Sequence, residues 1–115
     1  MTALRILLVE DDRNSRECIT ELLLGEGHEV APCAHGDDAL ARLARAPYDV
    51  LLTDLVMPGM SGLELTAVAR ARHPSLRCFI MTGQEPSDVP GVGWIVKPID
   101  FDLLLGSLSA LAPAP

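Results

Sequence analysis

The chain has 115 residues, 49% of them hydrophobic and 3% aromatic, with a formal net charge of −7. That length suits one compact domain over residues 1–115 with an aliphatic, Ala-rich core. The acidity excludes nucleic-acid binding by this domain, which needs clustered Lys and Arg, and no apolar stretch approaches the ~20 residues of a membrane span.

The start, Met1-Thr2-Ala3, runs straight into a short apolar stretch ending in acids, which is not the pattern of a secretory leader. A cytoplasmic setting is expected, in which the three cysteines would stay reduced. Cys18, Cys33 and Cys78 lack metal-ligand spacing and sit in apolar stretches, so all three are expected as buried free thiols.

The first element is the apolar run at 4–9, read as a buried strand. Residues 14–26 carry Cys18, Ile19, Leu22 and Leu23 at helical spacing, with Gly27 as a stop. A weaker strand is expected near 28–33. Residues 37–45 predict a second helix, carrying Leu40, Leu43 and Ala44 and ending before Pro47. The run at 50–53 predicts a strand. A helix over 62–72 follows, introduced by a capping box of Ser61 and Glu64. Runs at 78–81 and 94–96 predict two more strands. A final helix follows Asp100, with Phe101, Leu104, Leu105 and Leu108 on one side, and the core closes near 111, leaving 112–115 as a tail or linker start.

The main strands are nearly continuous apolar runs, which is how strands covered on both faces look. Strands alternating with helices imply right-handed crossovers and a parallel α/β sheet. Ligands of such sheets sit beyond the carboxyl ends of the strands. The residues found there are Glu10-Asp11-Asp12 after the first strand, Asp54 after the third, Thr82-Gly83 after the fourth and Lys97-Pro98 after the fifth. Carboxylates this close repel one another unless a cation intervenes. Oxygen donors without nearby His or Cys favour Mg²⁺ over Zn²⁺. Asp54 then reads as a nucleophile able to form an aspartyl phosphate, with Lys97 and the Thr82 hydroxyl on phosphoryl oxygens.

Four segments carry a family resemblance: ILLVEDD at 6–12, LLTDLVMPGMSG at 51–62, IMTG at 80–83 and WIVKP at 94–98. Their order and spacing over roughly residues 4–111 resemble the receiver domains of two-component response regulators. The resemblance implies a flavodoxin-like, doubly wound five-stranded parallel sheet of order 2-1-3-4-5. It implies that Asp54 is the phosphoacceptor and Asp11 a direct Mg²⁺ ligand. Glu10 would hold a metal-bound water, and Val56 would offer its backbone carbonyl. Thr82 and Lys97 match the switch hydroxyl and the phosphate-pairing lysine, and Trp94 the switch aromatic. The Lys97–Pro98 bond is often cis in the family. A histidine kinase or phosphotransfer protein would supply the phosphoryl group, and an output partner or effector domain would read it. Such a domain is not an enzyme beyond catalysing its own phosphorylation and dephosphorylation.

The sequence departs from the family between Thr82 and Lys97. Only fourteen residues separate them, and these include Pro86, Pro90, Gly91 and Gly93. Proline inside a helix costs ~3 kcal/mol, so the fourth helix is expected to be missing or a single turn near 86–89. In the family that helix, the fifth strand and the last helix form the usual output and dimer face.

Simpler readings stand beside these. Asp12 fits equally as a helix N-terminal acid, and Trp94 equally as a packing residue. His28, His35 and His73 lie near element ends and are expected in solvent. A pseudo-receiver that binds partners without phosphorylation is the main alternative. A phosphatase of the haloacid-dehalogenase type would want an acid two residues after the nucleophile, where this chain has Val56. A flavodoxin would need a phosphate cradle where this chain has Glu10-Asp11-Asp12.

Overall fold

Strands without a polar face end up at the centre of a sheet, and β3 (Val50–Asp54) is buried at all five positions. The computed structural model describes residues 3–86 and 89–111. The elements run β1 (Arg5–Val9), α1 (Arg13–Gly25), β2 (Glu29–Cys33), α2 (Gly36–Leu43), β3, α3 (Gly62–Arg72), β4 (Arg77–Thr82), β5 (Val92–Val96) and α4 (Phe101–Ser109). The five strands are parallel and lie in the order β2-β1-β3-β4-β5. This is the expected doubly wound, flavodoxin-like α/β sheet.

Alternation along each strand divides the core in two. Ile6, Leu8, Val50 and Leu52 pack with Ile19 and Leu23 of α1 and Leu104 and Leu108 of α4. Leu7, Val9 and Leu51 pack with Ala39 and Leu43 of α2 and Leu65 and Ala69 of α3. Burying a side chain of this size contributes ~1.5–3 kcal/mol, so the two layers fix the sheet between its helices. The register sets the functional edge. Val9 lies opposite Thr53, which brings Glu10 level with Asp54.

The helix caps are as the sequence predicts. Ser61 and Glu64 form the capping box of α3. Asp12 is the N-cap of α1, its carboxylate accepting from the Ser15 N–H at 2.8 Å, and that bond holds its pKa below the usual value. Asp100 caps α4 in the same way. Gly27, past the end of α1, has φ of +90°, which only glycine adopts freely.

Several expectations need correction. Cys18 is exposed, not buried. The buried stripe of α1 is only Ile19 and Leu23, and Cys18 falls about 100° outside it. Cys33 and Cys78 are buried, and burial raises both thiol pKa values, that of Cys78 to about 11. Helix α2 stops at Leu43, with Ala44 as an exposed C-cap; its inward residues are Gly36, Ala39 and Leu43, while Leu40 is half-buried. On α4, Leu104 and Leu108 are buried but Phe101 is 36% exposed. His28 is half-buried, and its Nδ1 accepts the Leu4 N–H at 3.1 Å, joining the turn after α1 to the start of β1.

No helix occurs among the described residues between β4 and β5, as the prolines there require. The single turn considered near 86–89 includes two positions, 87 and 88, outside the described residues, as is the 112–115 tail. Arg70 of α3 reaches across instead, donating from Nη1 to the Pro90 carbonyl at 2.9 Å. Gly91, at φ +81°, lies directly against that guanidinium, where a Cβ would overlap it. No helix among the described residues is long and apolar enough to cross a membrane.

Candidate functional site

Adjacent parallel strands bring their carboxyl ends to one edge, and here they deliver three acids and a lysine. One carboxylate oxygen from each of Glu10, Asp11 and Asp54 falls in a group whose members all lie within 4.8 Å of one another. Lys97 Nζ stands 2.9 Å from Asp54 Oδ1 and donates to Glu10 Oε2 at 3.2 Å. The structure therefore brings together four of the residues singled out in the sequence.

Burial differs sharply within the group. Glu10 is 1% exposed and Asp54 8% exposed, whereas Asp11 is open to solvent. Burial pushes the Glu10 carboxyl pKa upward and Asp54 adds to that rise; the Asp12 N–H and Lys97 oppose it. For Lys97, burial alone would lower the pKa. The hydrogen bond to Asp54 and the charges of Glu10 and Asp54 outweigh it, so the ammonium is held above its usual range. One cation thus faces three acids, and the site has a standing deficit of positive charge.

The other predicted residues are less closely joined. Thr82, at the end of β4, is buried, and its Oγ1 accepts the Gln84 N–H at 2.9 Å. No hydrogen bond links that hydroxyl to the acids among the described residues. Val56 lies in the bend after β3 with a 67% exposed side chain. Trp94 is half-buried on β5, opposite Ile80, and its Nε1 is buried without a partner among the described residues. The Lys97–Pro98 bond is cis.

Sequence reasoning missed three supporting residues. Arg16, one turn into α1, donates to the Glu10 carbonyl at 2.9 Å and pins the acidic loop. Thr53 is fully buried and donates to the Asp54 carbonyl at 3.0 Å. Gly62 was read only as the start of α3, yet a Cβ there would overlap the Asp54 carbonyl oxygen and stand 3.0 Å from the Leu55 Cα. Both neighbours are backbone and cannot swing aside. Gly62→Ala is therefore expected to cost ~2 kcal/mol, lowering the melting temperature by on the order of 10 °C, because overpacking against backbone displaces β3. An unchanged melting curve would show that the α3 N-terminus moves freely away from Asp54.

Beside the acids a cleft of about 370 Å³ runs along α1, lined by Asn14, Ser15, Cys18, Ile19, Ile99 and Phe101 with Glu10 and Lys97 at its inner end. It gives a large group access to this corner of the sheet edge.

Comparisons with known proteins agree with this architecture. The chain is 36% identical over 110 residues to the response regulator protein FleR of Pseudomonas aeruginosa, a match covering 90% of this chain and 23% of that protein. It thus spans about a quarter of the length of that relative. Among solved structures, the response regulator TrrA of Thermotoga maritima in complex with Mg²⁺-BeF is 32% identical. Its TM-score is 0.88, over 95% of this chain and 99% of that one. TrrA in complex with the histidine kinase ThkA superposes with a TM-score of 0.86 at 30% identity, over 96% and 99% of the two chains. The family model for the response regulator receiver domain matches residues 6–109. That match takes in every strand but the first residue of β1, together with the whole acidic edge, and the chain belongs to the response regulator receiver domain family.

Proposed function

We propose that this chain is a phosphorylation-dependent signalling switch in which Asp54 accepts a phosphoryl group from a histidine kinase or phosphotransfer protein. The observation that carries the reading is the grouping of Glu10, Asp11 and Asp54 with Lys97 held against Asp54. An all-oxygen donor set with an excess of negative charge fits Mg²⁺. Asp11, Asp54 and the Val56 carbonyl would hold the ion, with Glu10 acting through water. When bound, Mg²⁺ supplies the positive charge that lets an anionic phosphoryl group approach an acidic edge.

The reaction is an in-line transfer. A carboxylate oxygen of Asp54 attacks the phosphorus of a phosphohistidine. The P–N bond breaks, its electron pair stays on the imidazole, and an acyl phosphate forms on Asp54. The cleft along α1 gives the donor histidine its approach. Lys97, now shared between Asp54 and Glu10, would transfer its hydrogen bonds to a phosphoryl oxygen. The Thr82 O–H would donate to another, displacing the Gln84 contact. Trp94, one strand away, would respond to that movement. The added charge thereby biases a two-state equilibrium rather than driving turnover of an external substrate. The setting is cytoplasmic, and the output partner or effector domain would read the changed β4–β5 edge.

The test is incubation with Mg²⁺ and acetyl phosphate followed by intact mass measurement. The expected result is uptake of one phosphoryl group, lost on omission of Mg²⁺. The absence of a helix among the described residues between β4 and β5 favours a second reading, an interaction module that does not use phosphorylation. No added mass under conditions that label an ordinary receiver would select it.

A further inference from the structure

β2 is an edge strand, with α1 over one face of the sheet and α2 over the other. The N–H of Glu29 bonds to the Leu4 carbonyl, and the Cys33 carbonyl accepts from Glu10. Residues 29, 31 and 33 therefore face β1, and the backbone of Pro32 turns outward. Proline has no N–H, so a further strand cannot continue the ladder there. The space along this edge is an open groove of about 760 Å³. That size falls within the ~300–1,000 Å³ of small-molecule sites.

Three arginines line it: Arg16 from α1, Arg42 from α2 and Arg45 from the turn after α2. They are three of only nine Lys and Arg residues in a chain of net charge −7. Three cations against one lining acid, Asp38, leave the groove with a net charge of +2. The ion pairs among the described residues engage Arg5, Arg13 and Lys97, so no carboxylate neutralises the three. The Arg45 N–H donates to the Arg42 carbonyl at 3.0 Å, which continues the helical turn and brings the two side chains to one face. A cation at the end of α2 also complements the helix dipole, but that does not account for Arg16, which arrives from another helix. Arg16 is already fixed in place. Its Nη1 donates to the Glu10 carbonyl at 2.9 Å, while Nη2 and Nε have no partner among the described residues. Burial raises the Cys33 thiol pKa, and the charges of Arg42 and Arg16 both oppose that rise, which places the two cations about one residue of the groove wall.

We propose that this groove binds a diphosphate group, free or carried by a nucleoside, on Arg16, Arg42 and Arg45. A guanidinium offers a planar fork of donors that matches phosphate oxygens. A monovalent anion would engage one fork, whereas a diphosphate carries oxygens and charge enough for all three. A large polyanion is disfavoured, because outside the groove the chain is strongly acidic. An extended acidic peptide meets the same obstacle at Asp37 and Asp38 on the first turn of α2. Tyr48 is half-buried and lines the same groove, with the Arg5 guanidinium 5.2 Å from its ring centroid. That ring is the surface a nucleoside base would meet. The site uses none of Glu10, Asp11, Asp54 or Lys97, and it stands independently of the phosphorylation reading.

The test is titration of the full chain with pyrophosphate, ADP and sulfate, in EDTA so that no Mg²⁺ sits at the acidic edge. Calorimetry gives the affinities, and NMR shifts of the arginine Nε and backbone amide groups give the place. Pyrophosphate is expected to saturate with a dissociation constant of about 0.1–1 mM, and sulfate to bind about tenfold more weakly or worse. The shifts should centre on Arg16, Arg42 and Arg45. Arg42→Glu and Arg45→Glu, both at exposed positions, should each weaken pyrophosphate by about tenfold with little change in melting temperature. Asp54→Asn should bind pyrophosphate as its parent does. Tighter binding of ADP than of pyrophosphate assigns the groove to a nucleotide, and equal or weaker binding assigns it to the diphosphate alone. No saturation by about 10 mM, sulfate bound as tightly as pyrophosphate, or full binding by both glutamate variants overturns the proposal. If a variant fails to fold, the shifts of the unaltered chain decide alone, and shifts confined to the acidic edge count against the groove.

Discussion

Asp54→Asn is expected to abolish phosphoryl uptake from acetyl phosphate while leaving the chain folded and at least as stable as its parent. The chemical half of the expectation follows from the side chain. An amide lacks the anionic oxygen that attacks phosphorus, so the loss should be complete rather than partial. The structural half follows from the surroundings. Asn keeps an oxygen at the position that accepts from Lys97 Nζ at 2.9 Å and from the Leu55 N–H at 3.2 Å. It also removes one of three acids sharing one cation, and Asp54 is among the charges that raise the Glu10 carboxyl. Without Mg²⁺ the variant should therefore melt at the same temperature or slightly higher, with a gain of up to ~1 kcal/mol from relieved repulsion. Addition of Mg²⁺ should stabilise the parent and do little for the variant, since a carboxylate ligand has been lost. Intact mass after acetyl phosphate treatment and melting curves with and without Mg²⁺ check both halves. Full labelling of the variant would mean that another residue is the acceptor.

Much of this arrangement could be read from the chain because it depends on local composition and on parallel-sheet topology. The runs ending at Val9, Thr53 and Met81 are apolar at almost every position, so they could only be central strands. Once those strands are parallel and adjacent, the residues after them must meet at one edge. That no helix occurs among the described residues between β4 and β5 was also legible, since Pro86 and Pro90 leave no uninterrupted helical stretch. What escaped depends on three-dimensional approach. Gly62 looks like any helix-starting glycine until the Asp54 carbonyl is placed against its missing Cβ. Arg16 looks like a surface cation until α1 turns it back onto the Glu10 carbonyl. Cys18 and Ile19 are both apolar and adjacent, and only the angle at which α1 meets the sheet decides that Ile19 is buried and Cys18 is not.

Lys97→Ala should have the opposite electrostatic effect to Asp54→Asn. Lys97 contacts both Glu10, which is almost fully buried, and Asp54. Removing it leaves three grouped carboxylates with no cation. Breaking a buried ion pair by deleting one partner costs ~3–5 kcal/mol, and the partial exposure of this lysine reduces the expectation here to roughly 2 kcal/mol. The pH dependence follows from the directions of the shifts. The folded state holds the Glu10 proton more tightly than the unfolded chain does, so acidification through the raised Glu10 value favours folding. Loss of Lys97 removes a group that lowers that value, so the deficit of the variant should shrink as the pH falls toward the usual Glu value of 4.5. On the alkaline side the parent itself carries the signature. The Lys97 contribution is fully present below the usual lysine value of 10.5 and is lost as pH rises through the higher folded value, a loss the variant cannot show. Mg²⁺ should then bind the variant more tightly, because no ammonium competes for Asp54, and should restore most of the lost stability. Phosphorylation should persist while the conformational response, read from the single tryptophan Trp94, is reduced. Melting curves across pH with and without Mg²⁺ measure these effects directly. A variant that matches its parent at neutral pH without Mg²⁺ would show that Lys97 does not neutralise the acids, and that the cation holding this edge together in the resting state lies elsewhere.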